Sequence, residues 1–343
     1  MYKRYALAGL MSAAMATTAW GQTVTLRVSH FLSPNSIGQT DVLEPWCKNL
    51  DKDSGGRLKC QIYPALQLGG TPAQLVDQVR DGVADVAWTA PSYSPGRFPA
   101  IEMLELPFMM PGEGLAGSRA MRDYYEHHAK KEFEAYKVLA VHSGSGQIIN
   151  TSARPLLTLD SFRGVKLRTP SRVVAKLVTA LGGTPVAMPA AQVTEAVSKG
   201  VVDGALGPWD LLAATKLDEV TRYHVEPPAG EPALSAVALV VLMNRQKYES
   251  LSADLKAVID RHSGAALSDA FGSAFDRSAQ AERKRVKDLG NKILAIDPPD
   301  YAAMRKAAQA VEQEWVRDAA ARLPDAAGLA AASHSIGAKY TVK

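Results

Sequence analysis

Only two cysteines, Cys47 and Cys60, occur in this chain of 343 residues. With no histidine cluster beside them they cannot complete the four-ligand shell of a structural zinc site. The seven histidines are scattered, and His127-His128 falls on a polar stretch that reads as solvated. Neither sign of charge dominates, with 39 Lys and Arg against 35 Asp and Glu. No basic run or basic aromatic stripe is present, so nucleic acid is a poor partner. Long apolar runs are also missing. Past the N-terminus the longest is Ala233 to Met243, far short of the roughly 20 residues that span a bilayer and better read as a buried strand. The chain is therefore expected not to be membrane-embedded. It has no Walker loop, dinucleotide fingerprint or metal-spaced cluster. Gly144-Ser145-Gly146 lacks the strand, elbow and helix context of a serine nucleophile. No catalytic residue, no metal and no cofactor is expected.

What is present begins with an export signal. Lys3 and Arg4 form a basic start, Ala6 to Ala19 is apolar and small, and Ala19-Trp20-Gly21 fits a small-x-small cleavage site. Residues 1–21 read as a secretory signal peptide cut near Gly21. An oxidising destination favours a disulfide between Cys47, on the first helix, and Cys60, on the following strand. Two buried free thiols are the alternative.

The most informative feature is a passage that occurs twice. Residues 73–88 read AQLVDQVRDGVADVAW and residues 191–206 read AQVTEAVSKGVVDGAL. Ala73, Gln74, Val79, Gly82, Val83, Asp85 and Ala87 match Ala191, Gln192, Val197, Gly200, Val201, Asp203 and Ala205. Each copy encodes a short amphipathic helix, a glycine suited to the left-handed position, and a small-residue strand. Two copies far apart predict two similar α/β lobes with a ligand cleft between them, chance similarity between two ordinary units being the alternative. Asp85 and Asp203, at equivalent positions, read as structural.

Strands are expected at Val24–Ser29, Leu58–Tyr63, Ala84–Trp88, Val138–His142, Val165–Arg168, Pro185–Met188 and Ile293–Ile296. Ala233–Met243 should cross back to the first lobe. Helices are expected over Ile37–Asp51, Pro72–Arg80, residues 115–135, from Thr169-Pro170 to Gly182, Ser252–Lys287 almost unbroken, and Pro298–Leu323. This alternation predicts mostly parallel sheets flanked by helices. One lobe takes residues 22–146 plus about 237–275, the other 147–236 plus about 276–343.

Ligands bind at the carboxyl ends of parallel strands. Those ends carry Phe31, Trp88, Arg168 and Gly207-Pro208-Trp209. The Arg168 fork can hold a carboxylate in a bidentate pair, or pair with a local acid such as Asp160. The aromatics can pack on an apolar ligand body, or fill the core. Tyr93 and Arg97, on the loop after Trp88, join the candidate ligand-binding residues.

Five stretches carry a resemblance: YPALQLGG (63–70), QVRDGVADV (78–86), SARPLLTLDSFRGVKLRTPS (152–171), VAMPAAQVTEAVSKGVVDG (186–204) and LMNRQKYESLSADLKAVI (242–259). Together they resemble the DctP-type periplasmic solute receptors of tripartite ATP-independent (TRAP) transporters, across nearly the whole chain. The resemblance implies a two-lobed periplasmic binding protein of type II-like form, its lobes joined by crossover strands and a long helix. It implies a small carboxylate ligand, a membrane permease partner, and Arg168 as the carboxylate clamp. Dicarboxylate-binding members usually carry a second Arg where Gln147 stands, and Asn where Gly207 stands. With Trp88 and Trp209 nearby, a monocarboxylate with an aromatic or branched apolar body is expected rather than succinate. An ABC-type receptor of the same architecture, or an enzyme acting on a carboxylate in the cleft, are the rival readings.

Overall fold

The computed structural model describes residues 23–341, so the proposed signal peptide lies outside the described residues. Its strands, in chain order, are β1 (Val24–His30), β2 (Leu58–Tyr63), β3 (Val86–Thr89), β4 (Tyr136–Ser143), β5 (Ile148–Thr151), β6 (Lys166–Thr169), β7 (Thr184–Ala187), β8 (Gly204–Gly207), β9 (Tyr223–Glu226), β10 (Ala238–Asn244) and β11 (Lys292–Ala295). They form two sheets, ordered β2-β1-β3-β10-β4 and β11-β9-β5-β8-β6-β7. Each sheet holds a parallel triplet, β2-β1-β3 in one and β7-β6-β8 in the other. Each also holds one antiparallel strand that arrives from the other lobe: β10 enters the first sheet and β5 the second. All seven residues of β10 are buried, because it lies between β3 and β4 and is covered on both faces. That is why the segment reads as an apolar run rather than an alternating strand. It begins at Ala238, later than expected. Residues 233–235 lie outside any strand, and Gln147 N donates to Ser235 O at 2.9 Å.

The repeat is one supersecondary unit built twice. Pro72–Gln74 is a 3-10 turn leading into the helix Leu75–Arg80, and Ala190–Gln192 is another leading into Val193–Ser198. Gly82 and Gly200 follow with φ of 75° and 68°, a region that side chains rarely adopt. Strands β3 and β8 come next.

Cys47, on the helix Glu44–Asp53, is bonded to Cys60 on β2, with Cα atoms 5.7 Å apart, a separation typical of disulfides. The expected helix over Ser252–Lys287 is two helices, Ala253–Arg261 and Ala265–Asp288. They are divided at Gly264, whose φ is 62° and whose N–H turns away to Leu139 O at 2.6 Å. The longer helix ties the lobes together: Phe271 and Phe275 lie in the first lobe's core, Ala279 and Val286 in a cluster on one face of the second sheet. The other face of that sheet carries its own cluster, with Leu167, Val174, Leu177 and Met304.

A final helix, Ala326–Tyr340, was not expected. Small residues occupy all its faces, so no periodic stripe marks it. It packs against the helix Gly114–Tyr124 in the first lobe, where Lys339 Nζ and Tyr340 OH both donate to Asp123. The last segment of the chain thus returns to the lobe opposite the one expected for residues 276–343.

Candidate functional site

Where the two sheets face each other, the carboxyl ends of β1, β3, β6 and β8 converge on a cleft. Its lining includes Phe31, Trp88, Tyr93 and Phe275 from the first lobe and its bridging helix. Gln147, Arg168, Pro170, Pro208 and Asp210 line it from the second. The lobes leave a compact space of about 60 Å³ open to water-sized spheres.

Arg168, the third residue of β6, is 1% exposed. Its Nε donates to Met188 O at 3.0 Å and its Nη1 to Leu206 O at 3.1 Å. Asp160, the acid that might have neutralised it, is an exposed residue paired instead with Arg163 at 3.2 Å. Among the described residues no carboxylate forms an ion pair with Arg168. Burial disfavours its charge, and the Tyr93 hydroxyl beside it offsets part of that cost. A buried guanidinium without a counter-charge is costly unless a ligand anion supplies one. The helix after β6 begins at Arg172 rather than Thr169, because Ser171 caps it by accepting from Val174 N at 3.4 Å.

The first lobe supplies the apolar wall. Trp88 packs near Phe31, with ring centroids 5.8 Å apart, and Phe31 meets Tyr93 edge-on at 5.2 Å. Trp88 is held from behind: its Nε1 donates to His142 Nε2 at 2.9 Å, and the His142 ring stacks on Phe271 at 3.9 Å. Accepting that bond requires a neutral imidazole, and burial pushes the His142 pKa down to about 3. Gly38 lies so close against the Trp88 ring that a Cβ there would clash with it.

Three expected residues are not part of this lining. Trp209 opens the helix Trp209–Thr215, and its ring turns into the second lobe's core. Its Nε1 donates to Glu226 at 2.7 Å, while Arg283 lies over the ring at 5.1 Å. Arg97 is neutralised by Asp77 at 2.6 Å and donates to Tyr136 OH at 2.8 Å. Gly207 has a packing role: a Cβ there would meet Leu211 at 2.9 Å, and its carbonyl accepts from Asn150 Nδ2 at 3.0 Å. Phe31, Trp88, Tyr93, Gln147 and Arg168 do come together. Sequence reading missed Phe275 and Asp210. Phe275 sits inside the long helical pattern and carries no strand-end signal. Asp210 directly follows Gly207-Pro208-Trp209, so one further residue at that strand end would have included it.

A larger cavity of about 570 Å³ lies beyond Gln147, lined by Glu113, Trp209, Glu226, Glu231, Asp276 and Arg283. Its arginine is already paired with Glu226 at 2.7 Å, and four carboxylates on its walls repel an anion. The smaller cleft, by contrast, holds Arg168, which pairs with no described carboxylate. Among the described residues no group of His, Cys, Asp and Glu is placed to hold a metal. Ser145 Oγ donates to Asp210 at 2.6 Å, not to an imidazole. No described helix is long and apolar enough to cross a membrane.

The model of the DctP family, described as bacterial extracellular solute-binding protein family 7, matches residues 28–318. Two solved structures are each 38% identical to this chain. One is a marine metagenome TRAP solute binding protein, specific for aromatic acid ligands and holding 3-hydroxybenzoate. Its TM-score is 0.90, over 94% of this chain and 100% of that one. The other is a TRAP solute binding protein from Rhodoferax ferrireducens with copurified benzoate. Its TM-score is 0.88, over 93% of this chain and 98% of that one. A more distant relative, the C4-dicarboxylate-binding periplasmic protein DctP of Rhodobacter capsulatus, is 23% identical over 82% of each chain.

Proposed function

Because this chain belongs to family 7 of the bacterial extracellular solute-binding proteins, we propose that it is a periplasmic receptor for an aromatic monocarboxylate, which it delivers to a TRAP-type permease. The observation that carries this reading is Arg168, buried in the cleft between the lobes without an acidic partner among the described residues and lining it together with Phe31, Trp88 and Tyr93. An acid entering the open cleft gives Arg168 its counter-charge from one lobe and packs its ring on the other. Since it touches both walls only when they are together, it favours the closed state. No bond is made or broken in this cycle. The basic, apolar and small-residue segments of residues 1–21 support export with cleavage near Gly21. Solved relatives named as TRAP solute binding proteins favour that transporter class over an ABC-type system.

Titration calorimetry of ligand-free protein with benzoate, 3-hydroxybenzoate and succinate tests the reading. One or both aromatic acids should bind, succinate should not, and the bound acid should be recovered unchanged. Arg168→Ala should raise Kd at least about 30-fold, the lower end expected for removing one partner of a buried charge pair. Undiminished binding by that variant, or recovery of an altered compound, refutes the proposal.

A further inference from the structure

The cleft holds a second charged group. Asp210 lies in the first turn of the helix Trp209–Thr215 that follows β8, while Arg168 comes from β6, the neighbouring strand of the same sheet. The two carboxylate oxygens of Asp210 are unequal. Oδ1 accepts both Ser145 bonds, from the backbone N at 3.0 Å and from Oγ at 2.6 Å. Oδ2 accepts from no other described residue. No described cation pairs with Asp210. Arg277, which lines a groove on its other side, is turned towards Asp41 at 3.8 Å. A second unserved acceptor lies close by: the amide oxygen of Gln147, a residue 1% exposed, is buried without a hydrogen-bond partner. The cleft lining therefore includes one unpaired cation, the unserved amide oxygen of Gln147, and a half-buried carboxylate with one oxygen free of described partners.

Resting on the receptor reading above, we propose that Asp210 determines specificity: it accepts a hydroxyl proton from the body of the ligand and excludes a second carboxylate. A hydroxyl on an aromatic acid gives the free oxygen of Asp210 a donor. An acid lacking that hydroxyl covers the half-buried oxygen without supplying a donor in place of water, which is costly. A dicarboxylate places like charges together where only one arginine is present. Burial and the nearby Asp276 raise the Asp210 pKa, so the field around it already disfavours another negative charge.

The test is calorimetry at pH 8, where both carboxylates are ionised, on wild type and Asp210→Asn. The probes are benzoate, 3- and 4-hydroxybenzoate, 3- and 4-methylbenzoate and isophthalate. Wild type should bind the better hydroxybenzoate at least tenfold more tightly than benzoate or the matching methylbenzoate, and isophthalate at least 100-fold more weakly. Asp210→Asn should shrink the hydroxyl preference to within threefold and improve isophthalate binding at least tenfold. Benzoate binding with the hydroxyl preference intact in Asp210→Asn overturns this inference and leaves the receptor reading standing. So does isophthalate binding to wild type as tightly as benzoate. If none of the aromatic acids binds wild type, the receptor reading itself falls. Should Asp210→Asn not fold, the wild-type contrast between hydroxy- and methylbenzoates decides, and a preference below threefold overturns the inference.

Discussion

Asp85 in the first lobe and Asp203 in the second occupy the same place in two copies of one unit. Each accepts the backbone N–H of the first residue facing it on the neighbouring strand, Arg27 at 2.8 Å and Lys166 at 2.7 Å. The strand registers extend the equivalence to the cleft. Ala87 pairs with Ser29 on β1, and its counterpart Ala205 pairs with Arg168 on β6. Arg168 therefore stands in the second lobe where Ser29 stands in the first. One scaffold supplies a charge on one side and, through Phe31, Trp88 and Tyr93, an aromatic wall on the other. The fold sets where a cleft forms, and a few side chains at the strand ends set what it holds.

If that division is right, the two sides should answer substitution in opposite ways. Trp88→Ala should remove about 3–5 kcal/mol of stability, as for other buried tryptophans, because the ring fills the first lobe's core as well as the cleft. Arg168→Met should leave the unliganded protein within about 1 kcal/mol of wild type, or more stable, since it removes a buried charge with no counter-charge. Urea unfolding of both variants, without ligand, measures this contrast. A large loss for Arg168→Met would make the arginine a structural residue.

The lobes also meet at Glu105, which is 1% exposed in the first lobe and faces Ser92 and, across the junction, Ser171. Burial pushes its pKa up from an ordinary 4.5 to about 7. The folded state thus holds this proton more tightly than the unfolded state does. The favourable contribution is complete below pH 4.5 and is lost as pH rises through 7. Glu105→Gln should gain on wild type as pH rises from 5 to 8, by up to about 3 kcal/mol. Parallel stability curves for the two proteins would show that Glu105 ionises freely.

A smaller difference separates the two aspartates. Asp85 also forms an ion pair with the Arg27 side chain at 3.1 Å, whereas Asp203 is exposed and makes no described ion pair. Asp85→Ala should cost about 2 kcal/mol and Asp203→Ala about 1 kcal/mol. Urea midpoints at unchanged slope would report the difference. Equal losses would mean that the Arg27 pair contributes nothing.

Much of the architecture was legible because it rests on local pattern. The repeated helix, glycine and strand read correctly from sequence, since the period of apolar residues and a glycine at positive φ are local requirements. The crossover strand was legible within the expected run 233–243, because burial on both faces leaves no polar alternation, but its start at Ala238 was not. Arg168 was legible by position, at the carboxyl end of a parallel strand. The terminal helix Ala326–Tyr340 was not, because an Ala-rich segment with small residues on every face shows no stripe even where it packs tightly.

Side-chain direction at the cleft was the other unreadable quantity. Trp88 lies near the end of one small-residue strand and Trp209 just past the end of another, yet Trp209 is drawn inward by Glu226 and Arg283, and Arg97 is drawn away by Asp77 and Tyr136. By itself the sequence determined the helix, glycine and strand unit of each lobe, the closeness of the two cysteines and the strand end that carries the arginine, because each is encoded within one or two neighbouring elements. Only the tertiary structure decided which polar groups stay unpaired in the cleft. An ion pair or hydrogen bond is satisfied by whatever the fold brings within about 3 Å, and those partners lie many residues away along the chain.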